Sequence, residues 1–183
     1  MSAHPLPSLR RRMRLLHSWL ICLVLASSAA WADEAAELRR LHAAGQTAEA
    51  LQRAEKYLAT QPKDAAMRFL VGVMLAETQR GSEAREVFER LVEDYPELPE
   101  PHNNLAALKA AAGDYEGAKA SLDEALRANP SMAAAHENLG DVQVMLAMRS
   151  YARALQLEPN SASVPAKLAL VRQLLQAPAR ATP

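Results

Sequence analysis

The segment Gly113–Pro130, GDYEGAKASLDEALRANP, places a turn, a helix of small apolar residues and a proline in a fixed order. Its final proline belongs to a series of three that are equally spaced along the chain: Pro62, Pro96 and Pro130. At one constant distance before each proline lies an alanine, at Ala50, Ala84 and Ala118. Apolar residues follow each alanine after four, seven and eight positions, which is the spacing of one helical face. Because proline cannot continue a helix, each helix is predicted to end before it.

A second stripe, containing small residues, lies upstream of the second helix in the second, third and fourth units. It comprises Val71, Gly72 and Leu75, then Leu105 and Ala106, then Leu139 and Gly140. Small side chains at these places let two helices approach closely. The stripes are separated by turns that begin AAGQ, TQRG and AAGD, in which glycine is expected to end the first helix and a polar residue to start the second. Each unit is therefore predicted to be a helix–turn–helix.

This pattern resembles the tetratricopeptide repeat (TPR) family, whose motif joins a small residue, a Gly-Asp-Tyr-type turn and Ala…Phe/Tyr…Ala-Leu before a proline. Asn103–Pro130 is the best match, whereas the first unit has Leu38 in place of the small residue. The resemblance implies an all-α fold, an α-solenoid of stacked TPR helix–turn–helix repeats with a C-terminal capping helix. The predicted TPR domain covers 33–161. Its repeats are expected at 33–64, 65–98, 99–132 and, shortened, 133–161.

The fourth unit lacks a turn. The stretch from Leu139 to Ala147 is much shorter than its counterpart in the third unit, which runs from Leu105 to Ala118. The intervening sequence has no Gly, Pro, Asn or Asp after Asp141, which favours one fused helix over a compressed turn. Residues 162–176 are predicted to form the capping helix and 177–183 a disordered tail. In the capping helix, Leu168, Val171, Leu174 and Leu175 form one apolar face, and Lys167, Arg172, Gln173 and Gln176 can face water.

Residues 1–32 are predicted to be a signal peptide. Four arginines between positions 10 and 14 precede an apolar run, Leu15–Ala30, which is short for a membrane span. Small residues at Ala30 and Ala32 favour cleavage after Ala32. We therefore expect a periplasmic protein that contacts the membrane only through this transient segment. An uncleaved anchor is the alternative.

Charge and cysteine content exclude several classes of function. All 21 acidic residues but only 17 of the 21 basic residues follow Ala32, so the processed chain has a formal charge of −4. This balance argues against a nucleic-acid partner. The only cysteine is Cys22, within the signal segment, so thiol catalysis and cysteine–metal sites are excluded from the processed chain.

No catalytic, cofactor or metal motif emerges from the sequence. His102 and His136 occupy equivalent places in neighbouring units, which suggests either a metal pair or packing residues. Packing is favoured, because no acidic residue recurs beside them. A nucleophile elbow and a phosphate-binding glycine loop are both missing from the sequence. The protein is therefore predicted to be neither an enzyme nor a cofactor or metal carrier.

The resemblance implies a peptide-binding groove on the first helices of the repeats. Its expected residues are Phe69, Val73, Asn103, Asn104, Ala107, Glu137, Asn138, Asp141 and Met145. By resemblance, Asn104 and Asn138 match asparagines that hydrogen-bond a ligand backbone in peptide-binding relatives; local capping is the alternative. Basic residues that clamp a ligand carboxylate in some relatives are replaced here by others such as Glu137 and Asp141. We therefore expect an apolar or basic segment as the ligand.

The sequence thus indicates a non-enzymatic periplasmic adaptor or scaffold that binds a protein or peptide partner, with a role in cell-envelope assembly or maturation. One alternative is a self-associating structural protein, a homodimer formed through the fourth unit. The residues expected at that contact are Val142, Met145, Leu146, Met148 and Tyr151. Another alternative is an accessory subunit of an enzyme complex.

Overall fold

A computed structural model describes residues 34–176, which form helices joined by short turns and contain no strand. The helices are α1 (residues 34–43), α2 (Thr47–Thr60), α3 (Ala65–Glu77), α4 (Gly81–Asp94), α5 (Pro99–Ala111), α6 (Tyr115–Ala128), α7 (Ala133–Leu157) and α8 (Val164–Gln176). The predicted signal peptide and tail lie outside the described residues. The chain divides after Pro62 into two compact units.

The first unit is the helical hairpin of α1 and α2. Leu38 and Leu41 on α1 are buried, as are Ala50 and Ala54 on α2. Arg53 of α2 also lies 3.3 Å from Glu34 and 3.5 Å from Glu37, both on α1. The large side chain of Leu38, which departs from the family pattern, is therefore accommodated inside this hairpin.

The second unit contains two further hairpins, α3–α4 and α5–α6, and the final pair α7 and α8. Helix α4 packs on α5 and α6 packs on α7, so each hairpin contacts the next helix along the chain. The alanines that define the repeat, Ala50, Ala84 and Ala118, are fully buried in their respective units. Phe88 and Leu122, four residues after the second and third of them, are also fully buried. The helical face predicted from the repeat period is confirmed.

The turns within the hairpins share one left-handed residue, and its identity corrects the sequence interpretation. Gly45 and Gly113 have φ of +79° and +81° at the ends of α1 and α5. At the equivalent place after α3 the left-handed residue is Gln79, with φ of +60°. Gly81, which was expected to end α3, is instead the first residue of α4. The glycine of the TQRG turn therefore lies two positions after Gln79, the left-handed position at which glycine would be favoured.

The small-residue stripe has different roles in different repeats. A Cβ added to Gly72 would lie 2.6 Å from Phe88 Cε1, so here glycine permits the close approach of α3 and α4. At the equivalent Gly140, an added Cβ would meet no atom within 4 Å. The expected close approach is therefore absent at Gly140, because α7 does not turn back to place a second helix against it.

Helix α7 is a continuous helix of 25 residues, which confirms the predicted fusion of the fourth unit. Its first half packs on α6 through Ala135 and Val142, both of which are buried. Helix α8 packs along α7 and buries Leu168.

The apolar face of α8 is less covered than expected. Leu174 and Leu175 were predicted to be turned inwards with Leu168, but they are 62% and 42% exposed. Leu157 at the end of α7 and Leu170 on α8 are exposed as well. Helix α8 thus leaves apolar surface of its own open to solvent. Among the described helices, none is both long and apolar enough to cross a membrane.

Candidate functional site

A cavity of about 350 Å³ opens where α7 meets α5, α6 and α8. We call it the α7 cavity. It is lined by Ala110, Tyr115, Glu137, Asp141, Val142, Val144, Met145, Leu174 and Leu175. Every one of these residues belongs to the second unit. Most of the lining residues are apolar, but with the two carboxylates from α7 about half of the lining surface is polar, a composition that can hold an apolar group and orient it by charge.

Three of the predicted groove residues come together in this cavity. Glu137, Asp141 and Met145 follow one another at intervals of four residues, which places them along one side of α7. Both carboxylates are exposed, and neither takes part in an ion pair or a side-chain hydrogen bond within residues 34–176. Met145 is half-buried beside them. The cavity therefore combines negative charge with a flexible apolar side chain.

Tyr115, at the start of α6, adds an aromatic side of the cavity that the sequence did not identify. Its ring lies 5.6 Å from the guanidinium of Arg149, at the distance of a cation–π contact. A tyrosine at this place in a Gly-Asp-Tyr turn is expected to pack against its own repeat. The residue type therefore did not indicate a binding site. The periodicity of α8 placed Leu174 and Leu175 on an inward face, so their place at an open cavity was missed too.

The predicted asparagines make hydrogen bonds within the protein. Asn104 donates through Nδ2 to the backbone carbonyl of Glu100, at 2.9 Å, one turn earlier on α5. Asn138 of α7 donates to Oδ1 of Asn103 of α5, also at 2.9 Å. The Asn103–Asn138 pair thus joins the first helices of two neighbouring repeats. None of these three asparagines lines the α7 cavity.

The remaining predicted groove residues lie apart from the cavity. Phe69 on α3 is half-buried and contacts Phe88 on α4, with ring centroids 5.7 Å apart. Val73 on α3 is half-buried, and Ala107 on α5 is exposed. These residues therefore do not line the α7 cavity, and the wider groove stays a prediction.

The two equivalent histidines hold the loops that precede their helices. Nε2–H of His102 donates to the carbonyl of Pro96 at 3.0 Å, and Nε2–H of His136 donates to that of Pro130 at 2.9 Å. His102 is buried and His136 is exposed. This repeated bond agrees with the packing interpretation of His102. In the described part of the chain, no three His, Cys, Asp or Glu residues are grouped to hold a metal ion.

The residues expected at a self-association contact are largely covered by the protein itself. Val142 is buried in the cluster around Ala118 and Leu122, and Leu146 packs against that cluster. The ring centroid of Tyr151 lies 5.9 Å from Nζ of Lys167 on α8. Among the expected contact residues, Val142 and Met145 line the open cavity, and of these two Met145 is the more exposed. Val142 is therefore covered by the protein itself and cannot contribute to such a contact as expected, whereas self-association through the remaining residues stays a prediction.

Comparison with known proteins places these observations in a family. A family model described as tetratricopeptide repeat matches residues 30–99 and 103–162, well over half of the sequence. Among curated proteins, none matches this sequence.

Several solved structures share the arrangement of helices. The first TPR domain of human RPAP3 superposes with a TM-score of 0.59 at 15% identity, covering 64% of this chain and 92% of that domain. A TPR protein of Thermus thermophilus gives 0.56 at 22% identity, covering 79% of this chain and 82% of its own. The O-GlcNAc transferase of Thermobaculum terrenum gives 0.57 at 22% identity, covering 66% of this chain, but this chain spans only 23% of its length. At these identities the likeness establishes the fold, an all-α solenoid of repeats.

Proposed function

Because the chain belongs to the tetratricopeptide repeat family, whose repeats generally mediate protein–protein interaction without catalysis, we propose that it is a non-enzymatic adaptor that holds its partner at the α7 cavity. The observation that supports this proposal is the combination in one cavity of two unpaired carboxylates, Glu137 and Asp141, with the apolar side chains of Met145 and Leu174. A partner that filled the cavity would cover apolar surface that the protein leaves open to water.

The chemistry of the cavity favours a partner segment with an apolar anchor next to a lysine or arginine. An apolar side chain would pack against Met145 and Leu175, and a basic side chain would face Glu137 and Asp141. Charge complementarity of this kind selects partners and speeds their association. An acidic segment would be repelled by the same carboxylates.

A peptide-binding measurement tests this proposal. The probes are two short helical peptides with the same leucine anchor, one flanked by lysines and one by glutamates. We expect the lysine peptide to bind and the glutamate peptide not to bind. The change Glu137→Gln with Asp141→Asn should weaken the lysine peptide roughly tenfold, because two attractive charges are removed.

The matched control is Glu93→Gln, which neutralises an exposed carboxylate on α4 away from the cavity and should leave the affinity unchanged. Equal binding of both peptides, or an unchanged affinity in the cavity variant, would contradict the assigned site. Isothermal calorimetry at low ionic strength gives the clearest reading, since salt screens these charges.

We further propose that the adaptor works in the periplasm, in assembly or maturation of the cell envelope. The basic start, the short apolar run and the small residues at Ala30 and Ala32 support export. The full sequence should be expressed in a Gram-negative cell and the protein recovered by osmotic shock. We expect its first residue to be Asp33. A chain that still begins at Met1 and stays within the spheroplasts would rule out export.

A further inference from the structure

The charged residues of α7 form a symmetric pattern. Apart from His136, the helix contains four charged side chains, Glu137, Asp141, Arg149 and Arg153. All four are exposed, and they lie at intervals of four residues with Met145 at the centre. We call these five residues the α7 row. Acidic residues occupy its first half and basic residues its second half, at equal distances from Met145.

These charges find no ionic partners within the described protein. On α4 and α6 most basic side chains pair with an acid three or four residues away, as in Arg85–Glu89 and Lys119–Asp123. In contrast, none of the charges of the α7 row takes part in an ion pair within residues 34–176, although Arg153 donates a hydrogen bond to Oε1 of Gln156 at 3.1 Å. The helix dipole does not explain the segregation, because Asp141 and Arg149 lie more than one turn from either end of α7.

Such a row is complementary to itself when it is turned around. Rows of residues at intervals of four interlock when two helices cross. If a second α7 packs antiparallel with the two copies of Met145 facing each other, Asp141 of one copy faces Arg149 of the other, and the reverse. Glu137 and Arg153 lie about 80° around the helix from Met145, to either side, so they flank this contact without taking part in it. We propose that this row is a self-association surface, through which two copies of the protein form a dimer with twofold symmetry.

The centre of the proposed contact has the apolar surface that an interface requires. Met145 lies in the α7 cavity beside Leu174 and Leu175, which are 62% and 42% exposed. The cation–π contact with Tyr115, which also lines the cavity, keeps Arg149 close to it. An apolar centre flanked by charges is the usual anatomy of a protein interface. The second copy would bring its own Met145 and leucines to cover this surface.

This inference does not depend on the compartment proposed above, and the dimer would form in the absence of any other partner. It adds that the second copy and the partner use the same carboxylate, Asp141, and the same apolar centre. Self-association would therefore compete with partner binding. Arg149, by contrast, belongs to the dimer contact and not to the lining of the cavity.

Charge reversal tests the pairing directly. The unaltered protein should show reversible dimer formation in sedimentation velocity, and added salt should weaken it. Asp141→Arg alone should weaken the dimer at least tenfold, because two arginine pairs then face each other; Arg149→Asp alone should do the same through two aspartate pairs. An equimolar mixture of the two variants should restore dimers, since both charge pairs across that mixed interface are opposite again. The double variant D141R/R149D should restore them within one chain for the same reason.

The matched control is Glu55→Arg, a reversal at an exposed position on α2, which should leave the dimer unchanged. Circular dichroism reports whether each variant keeps its helices. If a reversal unfolds the protein, Asp141→Asn and Arg149→Gln each remove both charge pairs and should weaken the dimer by less, and their equimolar mixture should restore one of the two pairs. A protein that remains monomeric at every concentration would overturn the proposal. Single variants that associate as well as the unaltered protein, or a mixture that fails to restore dimers, would also overturn it.

Discussion

The left-handed backbone conformation recurs in the turns of the first three repeats, but in the second repeat the residue that adopts it is Gln79 and not glycine. Gln79 has a left-handed φ of +60° where the equivalent turns have Gly45 and Gly113. Side chains other than glycine and asparagine are strained in this region. The period of the sequence predicted a turn here, but the glycine in TQRG misled the assignment of its conformation. Only the backbone angles reveal that the glycine of this turn is misplaced.

Replacing Gln79 with glycine should therefore stabilise the protein. Relief of about 1–2 kcal/mol of left-handed strain is partly offset by the greater entropy of glycine in the unfolded chain, which costs about 0.4–1 kcal/mol. We expect the free energy of unfolding to rise by about 0.5–1 kcal/mol, measured by urea denaturation. Gly113→Gln, the reverse change in an equivalent turn, should lower it by a similar amount. An unchanged midpoint in Q79G would contradict the strain.

Gly72 and Gly140 occupy the same repeat position and should respond to alanine in opposite ways. Gly72→Ala places a Cβ 2.6 Å from Phe88 and should destabilise the protein by about 1–3 kcal/mol, the usual cost of overpacking. Gly140→Ala meets no atom within 4 Å and should stabilise α7 by about 0.5–1 kcal/mol. Thermal denaturation of both variants checks the pair. Two changes of the same sign would mean that the surroundings of the two glycines do not differ as described.

The ion pair of Arg80 and Glu83 predicts a local response to pH. Arg80 donates two hydrogen bonds to the Glu83 carboxylate, of 2.7 and 2.6 Å, and these lower the pKa of Glu83. A pKa lowered by folding contributes stability above the unfolded pKa, and that contribution is lost as the pH falls through the folded pKa. Arg80→Gln should return the Glu83 pKa towards its ordinary value, as followed by NMR titration. Arg127→Gln, on another helix, should leave Glu83 unchanged.

For the helices and turns, the regular period of the sequence predicted the features that depend on residues close together in the chain. The second and third repeats match their predicted helices because the repeat period, the buried alanines and the terminal prolines agree with one another. The missing turn predicted the fusion in α7 for the same reason. The α7 cavity was predicted only in part, through residues of α7 such as Glu137, Asp141 and Met145, because the side formed by Leu174 and Leu175 depends on where α8 packs. That packing involves residues far apart in the chain, and the spacing of apolar residues within one helix does not predict which distant helix it contacts.

The continuity of α7 should make its centre sensitive to proline. Ala147→Pro removes a hydrogen bond in the middle of the helix and should destabilise the protein by about 3 kcal/mol or more. Ala133→Pro is the matched control, since it lies at the first position of α7, where Pro99 lies in α5 and where proline is tolerated. Circular dichroism with denaturant titration measures both. A mild effect at position 147 would indicate that a turn, and not a continuous helix, lies there.

At the scale of the whole molecule, the two proposals share one surface and make a joint prediction. Asp141→Arg should weaken both self-association and binding of the lysine peptide, because the carboxylate belongs to both contacts. Arg149→Asp should weaken self-association alone. At protein concentrations that favour the dimer, the apparent peptide affinity of this variant should therefore rise above that of the unaltered protein. Fluorescence anisotropy measured at low and high protein concentration separates the two effects.

If both variants changed the peptide affinity in the same direction, competition between the two contacts would be excluded. If the variants lost their dimers but kept an unchanged peptide affinity, the result would support the self-association surface. The peptide would then have to bind elsewhere on the protein. The two proposals can thus fail separately.

The long helix at the end of the repeats also limits how such a protein can grow. A duplicated repeat inserted before Ala133 would meet helices of the kind it already contacts in α5 and α6. A repeat appended after Leu157 would instead meet α8 lying along α7, which is not the second helix of a repeat. A designer of longer variants can therefore choose the position before Ala133 as the point of insertion.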